Sequence, residues 1–488
     1  MSIISRYRKG ILTSIYYKWW VYSVVAIPIF LTVMDQTAIN IALPGIANHF
    51  EADLPTVQWI TLSYVLSTSA MVMPFGRLSD ILGRKLVVTA GLVIFIFAAA
   101  LGGVAQGFIL IIIAKTVQGI GSAAIQANGF ATIIEAFPQK ERGKANGMYM
   151  TIIGVGSISG PIIGGLLISN LGWRSVFFAA IPFGIIGLVA ILFVLQGRSH
   201  AIPRQGQGLR FDWMGAALSS AATICVLLII TNAYNLGWNS SYVILGIISS
   251  VILISSFVWW ELQNDDPMLD LRLFKNRIFS LGVSARFFSF LGGSSVFFLM
   301  PFYLIQVMHQ PANKAAMLMI PGALCMAVVS PISGRLSDKI GTKWLNVLGM
   351  GLSCTAMLTF SQLSVESSPL HIITGMVLSG SGMGMFNATN TTSIMSAIDN
   401  PKFGIVSGFL ALSRTSANLA GVALATMLVT ITMSSSGYEP TLSFQNGNVT
   451  SDVELAFVSA INLAFFAASG YALISLILSV IRTQNRTP

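Results

Sequence analysis

The decapeptide GRLSDILGRK at Gly76–Lys85 returns as GRLSDKIGTK at Gly334–Lys343, with seven of the ten positions identical. Each copy carries two glycines, one aspartate and three basic residues, and each follows a long apolar stretch. A short polar sequence that recurs so far along the chain, in the same setting, points to two parallel blocks of like construction.

The rest of the composition says what those blocks are built in. Of 488 residues, 54% are hydrophobic and 9% are charged, against about 25% charged in an ordinary soluble domain. A soluble fold cannot bury that much apolar surface and still cover itself with polar groups; lipid as the solvent removes the conflict. A membrane helix needs roughly 20 apolar residues. Spans of that kind are expected at approximately 20–44, 58–76, 86–106, 108–135, 147–170, 175–196, 213–233, 241–261, 280–305, 315–333, 344–362, 371–394, 404–434 and 460–481. The fold class expected is therefore an all-α integral membrane protein with fourteen transmembrane helices.

Charge sets the orientation. With the N-terminus inside, 22 of the 27 basic residues fall in cytoplasmic pieces, only Arg174 and Lys314 lie outside, and three lie within spans. Basic residues collect on the cytoplasmic side of membrane proteins, so a multi-pass protein of the cytoplasmic membrane with both termini inside is expected. The net charge of +10 is spread over these short loops, which argues against a nucleic-acid partner. Both decapeptides follow the second helix of a six-helix block. The expected domains are residues 1–200, six helices; residues 201–262, two inserted helices; and residues 263–488, a linker and six more helices. Repeats related by an axis along the membrane normal are one way in which transporter folds are built.

No cofactor or metal site is expected. Cys225, Cys325 and Cys354 lie in apolar stretches, and His49, His200, His309 and His371 are scattered. Neither a phosphate-binding loop nor a calcium loop is present. Charges within spans carry the functional signal instead, since each costs at least about 2.5–3.5 kcal/mol at mid-membrane. They are Asp35, Lys115, Arg286 and Arg414. At 1.5 Å per residue, Asp35 and Lys115 lie at similar depth, able to pair or to share one watery site. Opposed desolvation and charge terms on a lone deep carboxylate are what a proton-carrying group needs. Arg286 either faces a central site or snorkels to the cytoplasmic surface. Glu135, near a helix end, is read as snorkelling to water.

Several motifs in order resemble those of the major facilitator superfamily, and within it the fourteen-helix drug:proton antiporter group. Gly76, Arg77, Asp80, Gly83, Arg84 and Lys85 match the superfamily's loop signature. Asp35, Asn40, Ala42, Leu43 and Pro44 look like the first-helix motif, and Gln118, Gly119, Gly121, Ala123 and Ala124 like the fourth-helix motif. Gly156, Gly160, Pro161, Gly164 and Gly165 resemble the fifth-helix antiporter motif; Trp173, Arg174 and Phe177 also sit where the group has them. Lys115 stands where the fourth-helix motif opens with Arg, keeping the charge but not the planar fork. The resemblance implies that the loop copies, with Asp80 and Asp338, lock the cytoplasmic side, the second more weakly because Thr342 replaces Arg84. It implies that the glycine run seals one half against the other. Asp35 and Lys115 are the expected proton-coupling pair, and Asn40, Gln118, Arg286 and Arg414 the expected substrate-cavity residues.

One deep acid against three deep bases disfavours dicationic cargo. The expected function is proton-coupled efflux of small amphipathic or lipid-like compounds by a monomer in contact with membrane lipids, not an enzyme. The alternatives are export of one specific anionic or lipid-like metabolite, or a non-transporting membrane sensor.

Overall fold

A computed structural model describes residues 16–52, 54–195, 211–237, 240–264, 267–310, 312–398, 403–438 and 451–482. Both termini lie outside the described residues. Among those described, the structure is a set of fourteen long α-helices: α1 Tyr17–Phe50, α2 Leu54–Leu82, α3 Arg84–Gly103, α4 Phe108–Ala136, α5 Arg142–Leu171, α6 Arg174–Val194, α7 Trp213–Leu236, α8 Ser241–Gln263, α9 Arg277–Phe302, α10 Ala312–Ile340, α11 Lys343–Phe360, α12 Pro369–Ser396, α13 Phe403–Ser435 and α14 Ser451–Ile481. Eleven of them contain a stretch long and apolar enough to cross a membrane. The chain is an all-α, multi-pass membrane protein. Helices satisfy every backbone polar group within the segment, which is what hydrocarbon demands.

One span boundary changes. The last span, expected at 460–481, begins earlier: α14 already starts at Ser451 and carries Asp452 and Glu454 in its first turn. Acidic side chains there complement the positive end of the helix dipole. The segment between α8 and α9 contains a 3₁₀ turn, Leu271–Lys275, capped by Asp270, which accepts from the Arg272 N–H at 3.0 Å.

Packing repeats with an offset of eight helices. α2 and α3 lie along α4, α1 packs on α5 and α6, and α3 touches α6; likewise α10 and α11 lie along α12, α9 packs on α13 and α14, and α11 touches α14. Two seams join the sets, α2 against α13 and α5 against α10. The pair α7 and α8 packs together, and α7 lies against both α2 and α13. Trp260 on α8 donates to Asp212, the N-cap of α7, at 2.9 Å.

Glycine sets how closely the helices approach. A methyl group placed on Gly121 of α4 would lie 2.6 Å from the Gly91 carbonyl oxygen on α3. One placed on Gly382 of α12 would lie 2.6 Å from the Gly349 carbonyl oxygen on α11. These are corresponding contacts in the two sets. Small residues permit such backbone approach in membranes. Gly121→Val or Gly382→Val is expected to destabilise the protein by about 1–3 kcal/mol through overpacking, lowering its melting temperature in detergent. Gly165→Val, where an added Cβ meets nothing within 4 Å, is the matched control expected to melt like the parent.

Candidate functional site

Two groups of polar residues stand out in this apolar frame. The first lies at the end carrying the decapeptides. Asp80, on the last turn of α2, accepts from the Ile405 N–H at 3.1 Å, at the N-terminus of α13. Asp338, on the last turn of α10, accepts from the N–H groups of Gly143 and Lys144 at 2.8 and 3.0 Å, at the N-terminus of α5. Each duplicated aspartate thus caps the first turn of a helix in the other set, where unsatisfied N–H groups and the helix dipole favour a carboxylate. The glycines that open the decapeptides make this approach possible. A methyl on Gly76 would lie 2.7 Å from the Gly404 carbonyl oxygen, and Gly334 meets the Gly143 backbone. Gly83 and Gly341 turn the chain at φ +91° and +85°, a region that side chains with a Cβ rarely adopt.

Charges around the first copy are specific. Arg84 lies 2.7 Å from Glu135 and 3.9 Å from Asp80. Glu135 is therefore an ion-pair partner and not a snorkelling end charge, as the sequence had implied. Lys85 donates to the carbonyls of Leu192 and Leu195 at the end of α6, at 2.8 and 2.7 Å. Burial pushes Asp80 up to about 6, against the opposing pull of Arg84, the Ile405 N–H, Arg77 and the Gly404 N–H. Thr342 replaces Arg84 in the second copy, so no charge stands there. Across the seam, the Arg142 guanidinium lies 5.1 Å from the Phe403 ring centroid. Asn146, buried on α5, donates to the Ala388 carbonyl of α12.

The second group lies deep between the helices. Lys115 of α4 and Asp35 of α1 form an ion pair at 2.9 Å, each 1% exposed. Gln118 donates to the other carboxylate oxygen of Asp35 at 3.2 Å. The ammonium lies over the rings of Phe177 and Tyr64, at 5.0 and 5.5 Å. The Tyr64 hydroxyl donates to Ser122 at 2.7 Å, and Gln126 donates to the same Ser122 oxygen at 2.9 Å. Gln126 in turn accepts from Arg414 of α13 at 3.3 Å. A run of hydrogen bonds leads from Tyr64 in one set to Arg414 in the other, and the Tyr64 ring in turn faces the ammonium that pairs with Asp35. Arg286 of α9 is buried, donates to Thr391 at 2.6 Å, and does not snorkel.

The remaining candidates are placed differently. Asn40 is exposed and accepts from Thr61 at 3.3 Å, away from this run. Gly156, Gly160 and Gly164 make their close approach to α1, against Val33, the Met34 carbonyl and Ala38. They seat α5 on a helix of its own set; the contact of α5 with α10 is made by Gly143, Gly147 and Thr151 on another face. Pro161 is exposed. Gln126, Ser122 and Tyr64 were missed by sequence reading. The four-residue spacing of Ser122 and Gln126, on one face of an apolar helix, was the available signal.

The sequence profile of the Major Facilitator Superfamily matches residues 25–213 and 198–422, the region that holds both decapeptides and the buried ion pair. The chain belongs to this superfamily. It is 31% identical over 465 residues to the riboflavin transporter RibZ of Clostridioides difficile (strain 630), covering 95% of this chain and 97% of that protein. It is 30% identical to the multidrug transporter protein MdtP of Bacillus subtilis (strain 168), covering 82% of this chain and 73% of that one. Among solved structures, the human organic anion transporter MFSD10 (TETRAN) superposes with a TM-score of 0.68 at 16% identity, covering 95% of this chain and 99% of that one. That likeness speaks to the fold. Membership of the superfamily makes the chain a secondary transporter, not an enzyme.

The two aspartate caps generate a direct expectation. Removing an N-cap carboxylate costs about 0.5–2 kcal/mol, enough to shift a closed–open equilibrium between about twofold and thirtyfold. In Asp80→Ala or Asp338→Ala, spin labels at Leu82→Cys and Ile340→Cys, both exposed positions, are expected to show a longer and broader distance distribution than in the parent, with the native cysteines replaced. Unchanged distributions in both variants would show that the caps do not hold this end shut.

Proposed function

We propose that the protein is a proton-coupled exporter of hydrophobic or amphipathic small molecules, of the fourteen-helix drug:proton antiporter type. In this reading α1–α6 and α9–α14 are two six-helix bundles, α7 and α8 an inserted pair, and the division follows residues 1–200, 201–262 and 263–488. The end held by Asp80 and Asp338 is cytoplasmic, as are both termini, and the conformation described is closed on that side.

The observation that carries the reading is the Asp35–Lys115 pair, 1% exposed and 2.9 Å long. Breaking a buried pair by neutralising one partner costs about 3–5 kcal/mol. Protonation of Asp35 therefore changes the relative stability of any two conformations that differ in how Lys115 is accommodated. A proton entering from outside binds Asp35 and leaves Lys115 with the rings of Tyr64 and Phe177 but no carboxylate. The balance between the bundles then moves, with the seams at α2–α13 and α5–α10 as the rocking surfaces. The ligand can drive such a shift only through differential affinity for the two states.

A second reading keeps the mechanism but narrows the cargo to one specific metabolite; the relative that spans 95% of this chain carries the name of a single vitamin. A resistance panel of cationic and neutral drugs in an efflux-deficient host separates the two, because a single-cargo exporter shifts none of them.

Asp35→Asn is expected to abolish export driven by a pH gradient in proteoliposomes, while substrate counterflow without a gradient persists at a measurable rate. Export by this variant that still followed the pH gradient would overturn Asp35 as the coupling site.

A further inference from the structure

Among the described residues, Arg286, Arg414 and Arg482 have no carboxylate partner; Arg482, at the end of α14, is bonded to the Asn390 amide oxygen at 2.7 Å, and the other two lie deep between the helices. Arg286 is 4% exposed, about 14 Å along α9 from its start at the helical rise of 1.5 Å per residue. One of its terminal nitrogens is bonded to Thr391, its guanidinium carbon lies 5.0 Å from the Phe290 ring centroid, and its Nε has no partner. Arg414, half-buried on α13, reaches only the neutral Gln126 amide, at 3.3 Å. α9 packs on α13, and Phe290 and Ala417, one turn beyond Arg286 and Arg414, share one apolar cluster, which sets the two arginines at one level; the Tyr149 hydroxyl lies within electrostatic reach of both. Among the described residues neither arginine forms an ion pair, and Asp35, the acid read as deep in the spans, is already committed to Lys115.

Two like charges at one level in low dielectric repel, and each also loses its water. An oxyanion between them relieves both costs. The guanidinium fork suits this task, since it offers parallel donors to the oxygens of a carboxylate or phosphate. The surroundings describe the remainder of the ligand. Phe287, Phe290, Met383 and Ala417 form a small apolar cluster at Arg286, and Phe130 packs against the Tyr149 ring at 5.2 Å. Flexible methionine and aromatic faces accept apolar bodies of varied shape.

We propose that Arg286 and Arg414 form the head-group site for an organic oxyanion, a carboxylate or phosphate ester carried on an apolar body. This rests on the export reading and names its substrate class. The site is also wired to the ion pair. Gln126, which holds Arg414, shares Ser122 with Tyr64, whose ring lies beneath Lys115. An anion that draws Arg414 away from Gln126 frees the amide that completes this run. Occupancy of the site and protonation of Asp35 thereby act on one chain of contacts from opposite ends.

The test measures binding by the purified full-length protein in zwitterionic nanodiscs, with no proton gradient. The probes share one fluorescent body: 1-naphthylacetate, 1-naphthyl phosphate, the neutral 1-naphthylacetamide and a naphthylmethyl trimethylammonium. Lysophosphatidylglycerol competes in a separate arm. At least tenfold tighter binding of the two anions than of the amide is expected, and Arg414→Gln should narrow that gap to within threefold while Arg414→Lys keeps most of it. Arg286→Gln should act likewise; if it fails to fold, Arg414→Gln alone decides. Displacement of the naphthyl anions only by free anions assigns the site to soluble cargo, and displacement by the lysolipid at lower concentration assigns it to a lipid head group. Equal binding of anion, amide and ammonium, or an anion preference that survives Arg414→Gln, would overturn the site. Because no gradient is present, that result leaves proton coupling at Asp35 untouched, and a failed Asp35 test leaves this one intact.

Discussion

The end of the molecule with the decapeptides depends on one kind of contact, a carboxylate on the exposed N–H groups of a helix that starts in the opposite set. Asp80 makes it to α13 and Asp338 to α5. Such a bond is stronger than a neutral one because the acceptor is ionised and the helix dipole adds to it. It is also easily undone, because both partners can be rehydrated at the membrane surface. Glycine at the first position of each decapeptide allows backbone to meet backbone, so the caps close a tight seam. That combination of strength and reversibility is suited to a surface that must be held in one state and released in another.

The deep charges obey a different rule. Away from water, a charge needs a partner on the spot, and here the partners are unequally supplied. Asp35 is saturated by Lys115 and Gln118, whereas Arg286 and Arg414 receive only neutral oxygens and ring faces. The interior therefore carries a positive imbalance on the α9 and α13 side. Fields of this kind, focused by low-dielectric walls, select the sign of what enters.

Much of this was legible beforehand, and the reason is physical. Helices in lipid announce themselves by length and apolarity, so each predicted span falls on one of α1–α14, eleven of which carry a stretch long and apolar enough to cross a membrane. The decapeptide repeat predicted equivalent positions, and depth arithmetic brought Asp35 and Lys115 to one level. What stayed hidden were choices among possible neighbours. The Gly156–Gly164 stripe says that some helix comes close, not that it is α1 instead of α10. Glu135, at a helix end, has the look of a charge seeking water until Arg84, 51 residues away, is seen to meet it. Gln126 and Arg414 lie 288 residues apart, and no local pattern connects them.

The two seams also differ in what covers them. Along α2–α13, helix α7 lies across both partners, and Ser220 fastens it to the Ala70 carbonyl at 2.8 Å. Among the described residues, no comparable helix lies across α5–α10. The α2–α13 seam is thus covered on one flank by a helix from outside both sets, and the pair α7 and α8 turns a nearly twofold arrangement into one with a front and a back.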